Sequence, residues 1–254
     1  MSDGCRSTFP GRPKTEDDHR TSGKFKSTFT DPIVVAVTFD LFGTLVAVDR
    51  PEDPAAAVAA ELRDRGVAVP DGWRAAYAEP HVDAPEGAEV PLPAHVAAAL
   101  RARNVDVPAN AARRAVVAAF DPEVRTRAGA VDAVAAAVER GPVGVLSNCS
   151  VPELVTRTLV RSALDRASFD AIVTSVGCGW RKPHPEAFET VAGELGVDAE
   201  GLVHVGDDPA TDGGVEAVGG TFRDVNETGL DALATELRRE RSLGDGSRGG
   251  EECR

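Results

Sequence analysis

The chain has 254 residues, with 41 acidic against 28 basic side chains, a formal net charge of −13 and an isoelectric point near 4.9. Such a surface lacks the clustered cations that contacts to a phosphate backbone require, which excludes nucleic acid as a partner. The apolar runs fall far short of the ~20 residues that span a bilayer, and residues 1–30 hold no apolar stretch of a signal peptide, so the expectation is a soluble, cytoplasmic protein with no membrane partner.

Residues 1–30 are polar, hold three of the four lysines, and read as a disordered arm. The short, β-branched run 33–39 predicts a buried strand that ends at Asp40, and Leu41-Phe-Gly-Thr-Leu45 follows it as a tight turn. The next apolar strand starts only at Val143, too far along for a simple crossover, so residues 48–121 read as an insertion. Within it, 54–65, 92–103 and 109–120 carry helical periodicity, and 80–91 is a Pro- and acid-rich loop expected to be mobile. Trp73 and Tyr77 are expected to pack the insertion's own core, and Arg74 beside them is its candidate for binding an anionic substrate.

After the insertion, residues 131–139 predict a helix leading to the strand 143–146, which runs into Ser147-Asn148. A helix at 152–164 and a strand at 171–175 come next, then helices at 185–195 and 210–218 flanking a strand at 202–205. That strand ends in Gly206-Asp207-Asp208-Pro-Ala-Thr-Asp212. A last strand at 220–225 and a helix at 230–240 close the pattern, and residues 242–254 read as a disordered tail. Alternating strands and helices imply an α/β fold, a Rossmann-like, doubly wound and mostly parallel sheet. Its core would be residues 31–47 and 122–241, with a small helical cap at 48–121.

Three strands thus end in different polar groups: the Asp40 carboxylate, the Ser147 hydroxyl with the Asn148 amide, and the Asp207–Asp212 acids. The carboxyl ends of parallel strands are where open α/β sheets place their ligands. Beyond residue 30 the chain has 21 arginines but a single lysine, Lys182. A compact ammonium can neutralise a small anion without imposing arginine's planar fork. Each acid has a bland alternative as a turn or helix cap, but the ordered set argues for a shared site.

In that order, Asp40-Leu-Phe-Gly-Thr-Leu45, Ser147-Asn148, Lys182-Pro183 and Gly206-Asp207-x-x-x-x-Asp212 resemble the four motifs of the haloacid dehalogenase superfamily of hydrolases, in its helical-cap branch. The resemblance covers about residues 33–225. It implies a phosphatase of a small phosphorylated metabolite, with Asp40 as nucleophile forming an aspartyl-phosphate. It also implies Mg²⁺ held by Asp40, the Phe42 carbonyl and Asp207, with Asp212 orienting the metal's surroundings. Ser147, Asn148 and Lys182 would bind the phosphate, with Lys182 and Ser147 stabilising charge in the transition state. Asp208 is read as a cap or outer acid.

One position departs from the phosphatase pattern. Two residues past the nucleophile these enzymes carry a second aspartate, which protonates the leaving group; here Phe42 stands there. Losing a positioned acid–base typically costs a factor of about 10²–10⁴. Three outcomes stay open: a substrate with a good leaving group, a proton from elsewhere, or different chemistry. The last includes metal-independent attack on carbon, as in dehalogenases, or a weakly catalytic phosphate-binding module. Retention of Asp207, Asp208 and Asp212 argues for a cation. The insertion has no lysine, which excludes a Schiff base there.

The remaining candidates read as structural. Cys5, Cys149, Cys178 and Cys253 have neither zinc-ligand spacing nor a disulfide framework, and Cys149 reads as a small buried hydrophobe. His184 is expected to cap a helix start, with proton donation as its alternative, and His204 to be buried on its strand. Scarce lysine with abundant Asp, Glu and Ala fits a salt-rich cytoplasm or a GC-rich genome, and the first reading is preferred. Oligomeric state is not legible.

Overall fold

The computed structural model describes residues 35–108 and 110–246, with side chains to residue 239. The arm expected at 1–30 and the tail beyond 246 lie outside the described residues. Strand β1 (Ala36–Phe39) is buried on both faces, as a central parallel strand must be. It leads through a turn into β2 (Val46–Val48), where the insertion begins.

The insertion is a set of four helices. Helix α1 (Pro54–Asp64) starts with Asp53 accepting a bond from the Ala56 N–H and with Pro54 in the first turn, and it buries Val58 and Leu62. Helix α2 (Trp73–Ala78) is a short turn whose Trp73 donates from Nε1 to the Ala55 carbonyl at 2.8 Å. Trp73 is buried and Tyr77 stacks edge-on against it, so both pack the insertion as expected. Helices α3 (Leu92–Ala102) and α4 (Ala111–Ala119) complete it, α4 laying Ala112, Ala115 and Val116 into the same core as α1. Residue 109, the expected start of α4, lies outside the described residues.

The chain returns through β3 (Val124–Thr126), antiparallel to β2 with Val46 opposite Thr126. This two-stranded ribbon forms the base of the insertion. Helix α5 (Ala130–Val138), strand β4 (Val143–Ser147) and helix α6 (Leu154–Arg161) follow, then β5 (Ala171–Thr174) with the short α7 (Ser175–Cys178). Helix α8 (Pro185–Leu195) precedes β6 (Leu202–Gly206), and β7 (Thr221–Asp224) precedes the short α9 (Val225–Thr228) and the closing α10 (Leu230–Gly246).

The main sheet is fully parallel in the order β5-β4-β1-β6-β7. Strand β1 pairs with β4 on one side and β6 on the other, so the order reverses there and a ligand crevice opens at its carboxyl end. One face is covered by α5 and α10, through residues such as Val134, Leu233 and Leu237, and the other by α8, through Phe188 and Val191.

Four local expectations change. The helix expected at 210–218 is a 3₁₀ helix, Asp212–Val218, and Pro183 packs so close to its Gly214 that a Cβ there would stand 2.6 Å from it. Helix α6 stops at Arg161, where Ser162 turns to extended backbone. Helix α10 runs to Gly246 and so takes in the start of the expected tail. The loop expected to be mobile, 80–91, is pinned to the core. Glu89 N–H donates to the Gly179 carbonyl at 2.8 Å, and Arg181 N–H to the Gly87 carbonyl at 2.9 Å. No helix among the described residues is long and apolar enough to cross a membrane.

Candidate active site

Asp40 leaves the end of β1 with its N–H bonded to the Val205 carbonyl of β6 at 2.8 Å, and it is 8% exposed. The turn beyond it is held from two sides. Gly43 N–H donates to the Val46 carbonyl at 2.8 Å, and Arg127 donates its side chain to the Gly43 carbonyl. Gly43 has φ +95°, and a Cβ on it would lie 2.4 Å from Asp207 Oδ2, so only glycine lets the Asp207 carboxylate settle over the turn. There Thr44 Oγ1 donates to Asp207 Oδ1 at 2.8 Å.

The centre of the site is Lys182, 3% exposed. Its Nζ reaches Asp40 Oδ1 at 2.8 Å, the Leu146 carbonyl at 2.8 Å and Asp212 Oδ1 at 2.6 Å. An ammonium has three protons, and these three acceptors use all of them. Asp212 is held too: Oδ1 also receives His204 Nε2 at 3.1 Å, and Oδ2 receives the Asp208 N–H at 3.1 Å. The bare Gly206 makes room for it, since a Cβ there would come within 2.1 Å of Asp212 Oδ2. Asp212 therefore anchors Lys182 through Oδ1, while its Oδ2 carries a single bond and the residue lines the cleft, where its expected part is to orient the surroundings of a metal. His204, buried on β6, bonds Thr38 Oγ1 through Nδ1 at 2.9 Å.

Electrostatics follow from these contacts. Burial raises the Asp40 carboxyl above its usual range; Lys182 pulls it down, and the charges of Asp212 and Asp207 push it up again. Burial works against the charge on Asp212 too, but His204 and Lys182 outweigh it and hold that carboxyl well below the usual range. Burial and the Lys182 charge lower His204 to about 4, so the ring is neutral at pH 7 and belongs to the scaffold.

Ser147 ends β4, is 1% exposed, and its Oγ has no hydrogen-bond partner among the described residues. It lines a polar cleft of about 340 Å³ together with Asp40, Lys182, Asp207 and Asp212. A buried hydroxyl without a partner costs free energy, and a phosphate oxygen in this cleft would relieve it.

Two residues expected to bind substrate, Asn148 and Arg74, are bonded to other residues. Both polar atoms of the Asn148 side chain clamp the Lys182 backbone, Nδ2 donating to its carbonyl at 2.9 Å and Oδ1 accepting its N–H at 2.8 Å. The amide thus positions the lysine, and the residue also lines the cleft. Arg74 is exposed, pairs with Asp53 at the start of α1, and does not line the cleft. The arginines that do line it are Arg50 and Arg181. Arg181 was signalled by its place beside Lys182, whereas nothing local marks Arg50. His184 caps α8, its Nδ1 accepting the Glu186 N–H, and its ring stacks on Trp180 at 4.0 Å. Asp208 caps the turn after β6, accepting the Ala210 N–H at 3.0 Å.

Among the described residues no three His, Cys, Asp or Glu side chains gather as a ready metal cage. The donors expected for Mg²⁺ are fewer: two carboxylates, Asp40 and Asp207, and the Phe42 carbonyl. That set suits Mg²⁺, which binds one or two carboxylates and takes its other ligands from water and substrate phosphate. The charge balance agrees. Lys182 is shared by Asp40 and Asp212, and the bond that Asp207 accepts from Thr44 comes from a neutral hydroxyl.

A family model for haloacid dehalogenase-like hydrolases matches residues 34–215. Among solved structures, a 2-haloacid dehalogenase from Pseudomonas syringae pv. Tomato DC3000 is 17% identical, with a TM-score of 0.55, over 82% of this chain and 100% of that one. CbbY from Rhodobacter sphaeroides, in complex with phosphate, is 22% identical with a TM-score of 0.51, over 75% of this chain and 85% of that one. A phosphatase from Thermococcus onnurineus is 19% identical with a TM-score of 0.50, over 82% of this chain and 97% of its own. These likenesses establish the fold. No curated protein matches the chain.

Proposed function

Because the chain belongs to the haloacid dehalogenase-like hydrolases, we propose that it hydrolyses a small phosphate ester, with Asp40 as the nucleophile. The observation that carries this reading is the buried Lys182 ammonium shared by Asp40 and Asp212, beside the unpartnered Ser147 hydroxyl in one cleft.

Asp40 stands at the crevice of the sheet with one carboxylate oxygen tied to Lys182, which leaves the other to attack phosphorus. Mg²⁺ held by Asp40, Asp207 and the Phe42 carbonyl would offset the repulsion between carboxylate and phosphate. Lys182, clamped by Asn148 and anchored by Asp212, sets a fixed positive charge beside the phosphate oxygens. The Ser147 hydroxyl donates to one of those oxygens. Water then attacks phosphorus in the aspartyl-phosphate, which frees Asp40 and inorganic phosphate.

The test is hydrolysis of p-nitrophenyl phosphate with Mg²⁺ present. Asp40→Asn is expected to lower kcat/KM by about 1,000-fold or more, and EDTA to abolish turnover reversibly. Near-normal turnover by Asp40→Asn would refute the assignment of the nucleophile. A second reading, attack on carbon as in a dehalogenase, is favoured by one observation, the aromatic Phe42 in the position of the general acid. Halide release from a 2-haloacid that persists in EDTA would select it instead.

A further inference from the structure

Beside the polar cleft lies a second cavity of about 230 Å³, and Phe42, Asn148, Arg50 and Arg181 line both. Its apolar walls are drawn from Phe42, Val48, Phe120, Pro122, Val151 and Leu154. Apart from the two arginines shared with the cleft, its polar wall groups are largely committed to other contacts. Asp49 is held by Arg125 through two bonds of 2.7 and 2.9 Å, the Asn148 amide clamps Lys182, and Cys149 Sγ donates to the Val151 carbonyl at 3.3 Å. Ser150 is the polar wall residue that remains. A polyhydroxylated leaving group such as a sugar would find partners here in Arg50, Arg181 and Ser150 alone, and each hydroxyl turned to the apolar walls would cost about 1–3 kcal/mol if left unpaired. An aromatic ring loses nothing of the kind. The size also suits one ring, since an apolar cavity of about 150 Å³ takes benzene.

Phe42 links this cavity to the chemistry. The same residue that replaces the usual acid lines both spaces. Phe42 has no proton to give, and a leaving oxygen that receives none from another group departs as an anion. A phenol, with a pKa near 10 like tyrosine's, leaves far more readily than an alcohol as basic as water, near 16. Resting on the phosphatase reading above, we infer that the substrate is an aryl phosphate, its ring seated between Phe42 and Phe120 and its phosphate beside Lys182. Asp40 forms the new bond to phosphorus, and the phosphorus–phenolic oxygen bond breaks with its electron pair staying on oxygen. The phenolate leaves and takes a proton from solvent. Water next displaces Asp40 from phosphorus, so the sum is aryl phosphate and water giving a phenol and inorganic phosphate.

The experiment compares a series of substituted phenyl phosphates with ethyl phosphate and glycerol phosphate, in Mg²⁺, on the full chain. Aryl substrates are expected to exceed alkyl ones by at least about 1,000-fold in kcat/KM, in line with the range of a missing acid. Plotted against leaving-group basicity, the rates should fall steeply, and Phe42→Asp should flatten that slope. Phe120→Ala should raise KM for aryl substrates by about tenfold, the worth of a few buried methylene groups. Binding supplies a readout independent of turnover: by calorimetry, Asp40→Asn should bind phenylphosphonate at least tenfold more tightly than methylphosphonate. Equal affinities, or alkyl and aryl esters turned over alike in an Asp40-dependent way, would overturn the aryl assignment and leave the phosphatase reading standing. No turnover of any phosphate ester would overturn both.

Discussion

Lys182 shows why a chain that beyond residue 30 otherwise uses arginine keeps a lysine here. Its Nζ sits among Asp40, Leu146 and Asp212 at 2.6–2.8 Å, and its side chain is 1% exposed. A guanidinium is wider, planar and cannot point three protons at converging acceptors. Lys182→Arg is therefore expected to lower kcat/KM by at least about 100-fold and to cost roughly 3–5 kcal/mol, as for a broken buried ion pair. Steady-state kinetics and urea unfolding on the same variant check both halves; wild-type values in either would contradict the geometry. Asp40 gives a stability prediction of the opposite sign. Its folded pKa lies above the ordinary 3.8, so its contribution is full below that value and is lost as pH rises through the raised one. Above the raised pKa the wild type has lost it, and Asp40→Asn does not titrate. By calorimetry the inactive variant should melt at the same temperature as the wild type or higher at pH 7, with any gap narrowing as pH falls. A clearly lower melting temperature at pH 7 would show that Asp40 is stabilised, not strained, by its surroundings.

At the scale of elements, the 80–91 loop ties the insertion to the segment that carries Lys182. Ala88 pairs with Trp180 in an antiparallel bridge. The Glu89 carboxylate, 2% exposed on its side chain, accepts the Ser175 hydroxyl, and Ser175 Oγ accepts the Cys149 N–H at 2.8 Å. One chain of bonds thus runs from the insertion to the residue after Asn148. Glu89→Ala should cost about 1–3 kcal/mol in urea unfolding, the usual penalty for unmaking a hydrogen bond to a charged group. Amide exchange should rise at residues 87–89 and at 181, whose backbone bonds the loop shares. Unchanged exchange at those amides would mean the loop is held by something other than Glu89. The amino-acid order does not reveal this tie, because Pro and acidic residues predict a loop correctly but say nothing of what the loop touches.

For the whole molecule, charge is the dominant feature. Beyond residue 30 there are 37 acidic residues, and the net charge of that stretch is strongly negative. Self-repulsion of that kind opposes the compact state, and salt screens it. If the acidity reflects a salt-rich cytoplasm, the melting temperature should rise by roughly 10 °C or more between dilute buffer and 2 M KCl. Full stability in dilute buffer would return the explanation to genome composition.

The amino-acid order alone determined a good deal. It placed the parallel strands and most of the helices, because buried strands are apolar on both faces and helices repeat every 3.6 residues. It also placed Asp40, Ser147 and Asp207 at the ends of strands that converge, with Lys182 between the second and third, since parallel strands bring their carboxyl ends to one edge of a sheet. What it left open was which group each of them would touch. Asn148 and Asp212 turned out to hold Lys182, Arg74 turned to Asp53, and Arg50 and Arg181 came to the cleft. Those outcomes depend on distances between residues far apart in the chain, and a hydrogen bond forms or fails over less than an ångström. Only the packed fold sets such distances.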